Sequence, residues 1–222
     1  MIDQRLKNIY FATFAKLSIF AFLKHKLLDP EKFRNAWLNL GSGRKYIQGM
    51  VNIDGNILQK KDIWLDLNLG LPFPDNSIKG IYHSHLIEHF RLNQAVRLIQ
   101  ECYRVLVPGG KMRIVVPSLD YAIKCFNENL PEKLSDWPRK FDSIGGRFNN
   151  FMLCDNQHFL MFDFSFLEEL LKKAGFINIV SLSAHQSSYF PKHFLKYEYQ
   201  GDPELDSSLY VECQKPPKTS RS

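Results

Sequence analysis

The sequence predicts an α/β fold in which helices cover both faces of a mostly parallel sheet. Two observations support this: after Arg34 short apolar runs alternate with helical patterns, and a glycine pair follows the first run. With 222 residues and 45% hydrophobic content, the chain can bury one substantial core. We expect a single domain over residues 35–213, a helical extension over 1–34 and a disordered tail over 214–222.

Seven runs have the length and composition of β-strands, bounded by turn residues. The last two are separated by an aromatic segment, and we expect them to be antiparallel neighbours. In chain order the runs read AWLNL, MVNID, DIWLDL, GIYHSH, KMRIVVP, INIVSLSA and SLYVECQK.

Two stretches between these runs are typical of helices. Apolar residues recur at helical spacing from Leu92 to Leu106, and Pro108–Gly110 is expected to end that helix as a turn. SFLEELLKKAGF predicts a second helix, with Ser165 as its N-cap. Between them, residues 118–163 are rich in aromatic residues but have no strong period, which indicates a lid or a substrate-binding insertion.

The charge is distributed unevenly. Residues 1–34 hold seven Lys/Arg and three acids, and residues 214–222 hold three basic residues and no acid. Of the 29 basic and 23 acidic residues this leaves 19 and 20 for residues 35–213, a net charge of −1. A neutral body argues against a long nucleic acid as a partner, because phosphate binding needs clustered Lys/Arg.

The apolar run from Ile9 to Leu23 is interrupted by Lys16 and is too short to cross a membrane. It lacks a clean amphipathic stripe, so two interpretations remain: a helix packed on the domain, or peripheral contact of residues 1–34 with a membrane or partner. The four cysteines have no CxxC spacing, which favours free thiols in a reducing, cytoplasmic compartment.

The stretch LNLGSGRKYIQGMVNID indicates a ligand site at two strand tips. Gly41, Ser42 and Gly43 let a ligand approach the backbone closely, and Asp54 can accept hydrogen bonds from a vicinal diol such as a ribose. Asp66 and Leu67 follow the third run and offer a polar and an apolar neighbour suited to an adenine ring. Together they describe a nucleoside site at the carboxyl edge of the sheet, although the glycines alone are also compatible with a tight turn that binds nothing.

A nicotinamide-dependent dehydrogenase is disfavoured. Its fingerprint requires GxGxxG, and here Tyr46 stands at the third glycine position. The acid at Asp54 also comes only eleven positions after Gly43, much sooner than the roughly 20 residues of that fingerprint.

Six phrases, in this order, resemble class I S-adenosylmethionine-dependent methyltransferases, from about Leu38 to Phe176. They are LNLGSG, VNID, LDLNLGLPFPDNSI, IYHSHLIEHF, ECYRVLVPGGKMRIVVPS and FLEELLKKAGF. Within them, LPFPDNS, LIEH and RVLVPGG are similar to the methyltransferase type 11 group.

The resemblance implies a doubly wound, Rossmann-like sheet of seven strands, with only the last antiparallel, and S-adenosylmethionine as the cofactor. It implies that Gly41–Gly43 passes the amino acid end of the cofactor and that Asp54 binds the ribose. It further implies that Asp66 and Leu67 flank the adenine and that residues from His83 to His85 face the sulfonium. The acceptor is then a small molecule, a glycan or a lipid-linked compound; a non-catalytic module of the same fold is the alternative.

Three residues are candidates for catalysis: His85, Glu88 and His158. A histidine near its ordinary pKa can serve as a base for a hydroxyl acceptor. If a helix begins near His85, this residue shares a face with His89; no further carboxylate or cysteine cluster completes a metal site there, so we expect no metal.

For each of these residues a structural role remains open. Glu88 and His89 are also compatible with a solvated or capping role, and His158 with a place in an aromatic core. The resemblance suggests that a histidine of the His158 region reaches the pocket, where Asp155 or Asp163 could orient it.

Overall fold

A computed structural model of the protein describes residues 9–11, 13–29, 31–198 and 206–218. Its centre is a seven-stranded sheet in the order β3-β2-β1-β4-β5-β7-β6. The strands are β1 Trp37–Leu40, β2 Val51–Asp54, β3 Ile63–Trp64, β4 Ile78–Ser84, β5 Leu106–Pro117, β6 Ile177–Leu182 and β7 Ser208–Gln214.

The strand directions confirm the predicted sheet. β1 to β5 pair in parallel, and β7 runs antiparallel to both of its neighbours, β5 and β6. The chain winds outward from β1 through β2 to β3 and then returns to place β4 on the other side of β1. The winding therefore reverses between β1 and β4, where ligands of open α/β sheets bind.

Helices and short helical turns connect the strands. The α-helices are α1 Ile19–Leu23, α2 Leu92–Val105, α3 Leu119–Asn127, α4 Ile144–Leu153, α5 Phe164–Lys173 and α6 Lys192–Leu195. The 3₁₀ helices are Phe14–Ser18, Leu67–Leu69, Ile87–His89 and Pro131–Lys133, and Lys24–Leu28 forms a π-helix.

Two local predictions were wrong, and one region has helices that the sequence did not indicate. Pro108–Gly110 lies inside β5 instead of forming a turn, because the strand begins directly after α2. The N-cap of α5 is Asp163, whose side chain accepts a hydrogen bond from the backbone N–H of Phe166, so the helix begins earlier than a cap at Ser165 would allow. The region 118–163 contains α3 and α4, whose apolar residues form a small core of their own.

Both ends of the chain extend the domain. Ala15 and Ser18, in the described part of the predicted N-terminal extension, are completely buried. Beyond Gln214, the Lys215 ammonium donates hydrogen bonds to the carbonyls of Tyr103 and Leu106, so the ordered chain continues past residue 213. The predicted N-terminal extension and tail also include residues 1–8, 12, 30 and 219–222, which lie outside the described residues. No helix in the described ranges is long and apolar enough to cross a membrane.

Candidate active site

The glycine loop leaves the sheet at the point where the winding reverses. Leu40, the last residue of β1, pairs with Ile53 of β2 on one side and with His83 of β4 on the other. The next residue, Gly41, has a φ of +62°, a conformation that side chains with a Cβ rarely adopt. The loop therefore turns out of the sheet between the tips of β2 and β4.

Gly41 also has no room for a side chain. A Cβ at this position would lie 2.5 Å from Cδ1 of Leu86, which follows β4. Bare backbone is thus required here for two independent reasons, the positive φ and the contact with Leu86. Next to it, Ser42 is buried and its hydroxyl has no hydrogen-bond partner among the described residues.

Asp54 joins the tip of β2 to the glycine loop. Its Oδ2 accepts a hydrogen bond of 2.7 Å from the backbone N–H of Gly43, and its Oδ1 accepts one of 2.6 Å from Asn56. Each carboxylate oxygen can accept a further bond, which is what a pair of hydroxyl groups would need. The structure thus brings together the loop and the acid that the sequence predicts to act jointly.

The tip of β3 carries Asp66 and Leu67. Asp66 is the N-cap of the short helix that begins at Leu67. Its Oδ1 atom accepts hydrogen bonds from the backbone and the side chain of Asn68. Leu67 is buried in the main core. Whether these two residues also flank an adenine stays a prediction.

The N-terminal segment lies across this same edge of the sheet, so it packs on the domain, as one of the two interpretations of the sequence expects, at a place that the sequence did not indicate. The Ser18 hydroxyl accepts a hydrogen bond from the backbone N–H of Asp66 at 2.8 Å. The Tyr10 hydroxyl donates to the carbonyl of Gly55 at 2.7 Å and accepts a bond from the indole N–H of Trp64. These contacts join residues 45 to 54 positions apart, so no local pattern could have indicated them.

The end of β4 and the residues that follow it contain His83, His85, Glu88 and His89, and we call this region the histidine-rich corner. His83, near the end of β4, is buried, and burial lowers its pKa to about 4. No α-helix begins near His85, which has a φ of +52° and precedes the 3₁₀ helix Ile87–His89. The proposed shared helix face of His85 and His89 was therefore wrong.

Glu88 is the central residue of this corner. Its side chain is 1% exposed, and neither carboxylate oxygen has a hydrogen-bond partner among the described residues. Its Oε1 lies 3.5 Å from Nδ1 of His85, whose side chain is 44% exposed. Burial raises the pKa of Glu88, but interactions with His85 and His89 outweigh it and hold the pKa below its usual value.

His158 reaches the same corner from the end of region 118–163. Its ring stands edge-on to that of His89 with 4.8 Å between the ring centres. The backbone N–H of Phe159 donates to the carbonyl of Glu88 at 2.8 Å, which fixes the approach of the two segments. Burial is the main reason why the pKa of His158 lies below its usual value.

The residues that orient His158 differ from those suggested by the sequence. Its Nδ1 lies 3.0 Å from the carbonyl of Met152. Asp163 instead caps α5, and Asp155 forms an ion pair with Arg139, so neither acid has the suggested role. This hydrogen-bond acceptor was hidden from sequence reasoning because it is a backbone carbonyl.

Three groups in this corner have the composition of a metal-ligand set. Ligand atoms of Glu88, His89 and His158 lie within 4.8 Å of one another. The sequence offered only the pair of His85 and His89 for such a role. Of that pair only His89 belongs to the set; Glu88 was not considered as a ligand, and His158 is 69 positions away from His89 in the sequence.

A cavity of about 980 Å³ lies elsewhere, between the segment from Leu67 to Asp75 and helix α2. Of the residues predicted to bind the cofactor, only Leu67 lines it. This cavity is therefore distinct from the site at the glycine loop, although it is large.

Comparisons with known proteins concern the family and the fold. Residues 49–114 match the family described as "Methyltransferase domain". The chain is 37% identical over 73 residues to the human protein named "Probable tRNA methyltransferase 9B" and 39% identical over 62 residues to its cattle counterpart. These matches cover 32% and 28% of this chain, but only 16% and 14% of the relatives' own lengths.

Among solved structures, the fold is similar to that of a SAM-dependent methyltransferase from Archaeoglobus fulgidus. The TM-score is 0.51 at 15% identity, and the similarity covers 96% of this chain and 100% of the other. At this identity the likeness is one of fold. Together with the family match, it confirms the resemblance and the fold class that the sequence predicts.

Proposed function

We propose that this class I S-adenosylmethionine-dependent methyltransferase domain transfers a methyl group to a small-molecule, glycan or lipid-linked acceptor. The observation that carries the proposal is the joint edge formed by the glycine loop and Asp54. In it, Gly41, Ser42 and Gly43 hold the amino acid end of the cofactor, and Asp54 holds the ribose. Asp66 and Leu67 lie at the next strand tip and flank the adenine.

The chemistry requires little beyond alignment. A sulfonium already makes its methyl group electrophilic, so the protein must place a nucleophile in line and exclude water. His83 is buried and its pKa is about 4, so it places no second positive charge beside the sulfonium at neutral pH. His85, Glu88 and His158 lie where an acceptor would enter, and a hydroxyl acceptor would need one of them as its base.

Binding and transfer are tested separately. Isothermal titration with S-adenosylhomocysteine should show one site per chain. Incubation with methyl-labelled S-adenosylmethionine and a cell extract should then label a lipid-extractable or small water-soluble fraction. Binding without labelling would favour the alternative of a non-catalytic cofactor-binding module, and the lack of binding would contradict the proposal as a whole.

A tRNA acceptor is the second candidate, and it rests on the names of the two curated relatives. Residues 35–213 carry a net charge of −1, which is unfavourable for a polyanion that needs several Lys/Arg contacts. Label recovered in tRNA, with binding that weakens steeply as salt rises, would favour this candidate over the first.

The N-terminal segment supports a lipid-linked acceptor held at a membrane surface. Phe14, Phe20 and Leu27 are 59%, 71% and 67% exposed, which is unusual for large apolar side chains in one short segment. Lys24 and Lys26, which are exposed beside them, would attract anionic lipids. We infer peripheral contact with an anionic membrane, separate from the transfer chemistry.

Vesicle sedimentation tests this contact. The full chain should bind phosphatidylcholine vesicles that contain phosphatidylserine and should bind less to phosphatidylcholine alone. The double substitution Phe20→Ser and Leu27→Ser should abolish binding, whereas Trp137→Ser, which removes an aromatic side chain that is 56% exposed elsewhere, should not. Equal binding by all three proteins would contradict the inference.

A further inference from the structure

The histidine-rich corner contains a carboxylate in an unusual state. Glu88 is buried, and no described residue donates a hydrogen bond to either of its carboxylate oxygens. A buried carboxylate without a hydrogen bond costs several kcal/mol unless a cation or a donor from outside compensates it. Nδ1 of His85 lies 3.5 Å from Oε1 of Glu88, and the side chain of His85 is 44% exposed. The corner is therefore built for a partner that the chain itself does not supply.

The two neighbouring histidines are held in the form that binds cations. Nδ1 of His89 lies 3.0 Å from the carbonyl of Gln157, and Nδ1 of His158 lies 3.0 Å from the carbonyl of Met152. A carbonyl only accepts, so each Nδ1 carries the proton and each Nε2 has a lone pair. Metal-binding histidines typically donate their other ring N–H to a carbonyl or carboxylate in this way.

From these observations we infer that Glu88, His89 and His158 form a binding site for a divalent transition-metal ion, represented by Zn²⁺. Two imidazoles and one carboxylate favour zinc and related ions over Mg²⁺, which prefers oxygen ligands. Three protein ligands leave at least one coordination position for water or substrate, as in catalytic zinc sites.

Binding requires a small rearrangement. The ligand atoms lie within 4.8 Å of one another, whereas metal–ligand bonds of about 2.1 Å hold neighbouring ligands about 3–3.5 Å apart. His89 is exposed and can turn toward the ion, while Glu88 is fixed by burial. The hydrogen bond from the Phe159 N–H to the Glu88 carbonyl holds the segment of His158 beside that of Glu88 and His89.

The role that we assign to the ion rests on the proposed methyl transfer. In this role the acceptor is a compound with a hydroxyl group. The open coordination position would hold that oxygen and lower its pKa, and the proton released would pass to water. The oxygen lone pair forms the new bond to the methyl carbon. The electron pair of the breaking carbon–sulfur bond stays on sulfur, which leaves S-adenosylhomocysteine.

Zn²⁺ binding is measured first, because it does not depend on activity. Isothermal titration of the full-length chain with Zn²⁺ should give one site, and Mg²⁺ should bind far more weakly. His158→Ala and the isosteric Glu88→Gln should each weaken Zn²⁺ binding by more than about 100-fold, since they remove a ligand. The control His193→Ala removes an exposed histidine outside the corner and should leave the affinity unchanged.

Titration with S-adenosylhomocysteine separates this inference from the proposed function. Zn²⁺ affinity equal in wild type, Glu88→Gln and His158→Ala would overturn the metal site, even if the cofactor product binds. A Zn²⁺ site in a chain that binds no cofactor product would keep the site and overturn its assigned role. If both bind, a chelator should abolish labelling of a hydroxyl acceptor, Zn²⁺ should restore it, and labelling unaffected by the chelator would also overturn the role.

Discussion

At the glycine loop, both oxygens of Asp54 accept backbone hydrogen bonds, whereas in the histidine-rich corner the more deeply buried Glu88 accepts none from the described residues. The two regions occupy the same edge of the sheet and are joined by the contact of Leu86 with Gly41. The difference indicates separate tasks. The glycine loop is preorganised for its ligand, whereas the histidine-rich corner needs an external ligand to satisfy Glu88.

The largest effect that would sharpen this contrast is expected at Gly41. Gly41→Val places a side chain in a backbone conformation with φ of +62° and with its Cβ 2.5 Å from Cδ1 of Leu86, so the loop or Leu86 must move. We expect the affinity for S-adenosylhomocysteine to fall by more than about 100-fold, or about 3 kcal/mol. Calorimetry measures it directly.

The matched control is Gly145→Val. A Cβ at Gly145 meets nothing within 4 Å, so this substitution adds the same atoms without disturbing the loop. Equal loss of affinity in both variants would mean that Gly41 has no special relation to the ligand, and the preformed loop would no longer distinguish the two regions.

The next largest effect is expected in the histidine-rich corner, and it concerns kcat instead of cofactor affinity. His158→Ala and His85→Ala should each lower kcat by about 100-fold, as is usual for groups that act on a proton or position an acceptor. The dissociation constant for S-adenosylhomocysteine should change by less than about threefold, because neither residue belongs to the loop. If both variants retain full turnover, or if they lose cofactor affinity instead, the division of tasks fails.

The parts that the sequence predicted well depend on local patterns. Strand runs alternate with helical periods, and β2 ends at Asp54, where the acid was placed. Helix α4 was missed because Gly145 and Gly146 weaken its helix propensity; its apolar side chains pack against α3. Local propensity cannot report such a contact.

The corner was only partly predictable for the same reason. His85, Glu88 and His158 could be singled out as reactive residue types, but their arrangement depends on how the chain returns to the sheet after α4. The bond from Phe159 to the Glu88 carbonyl and the contact between His89 and His158 join segments about 70 residues apart. Nor does a helical wheel apply to His85, because its φ is positive.

A smaller effect is expected at Asp54. Asp54→Ala removes the acceptor for the Gly43 N–H and the proposed ribose contact, so affinity for S-adenosylhomocysteine should fall somewhat more than tenfold, or about 1.4 kcal/mol. Asp54→Asn keeps one acceptor oxygen and should lose less. Titration of adenosine alone sharpens the test, since the same loss should appear there if the contact is to the ribose. An unchanged affinity in Asp54→Ala would show that the site lies elsewhere.

The smallest effect concerns His83, which stands between the two regions. Burial lowers its pKa to about 4 in the folded chain, while the unfolded chain has a value near 6.5. Between these pH values the unfolded state binds more protons than the folded state. The contribution of neutral His83 to the free energy of unfolding is therefore fully present above about pH 6.5 and is lost as the pH falls toward 4. From pH 7 to pH 6 the free energy of unfolding should drop by up to about 1 kcal/mol from this residue. Denaturant titrations of wild type and His83→Asn at both values isolate the contribution, because other histidines affect both proteins equally. The same pH dependence in the two proteins would mean that His83 is not kept neutral by the fold.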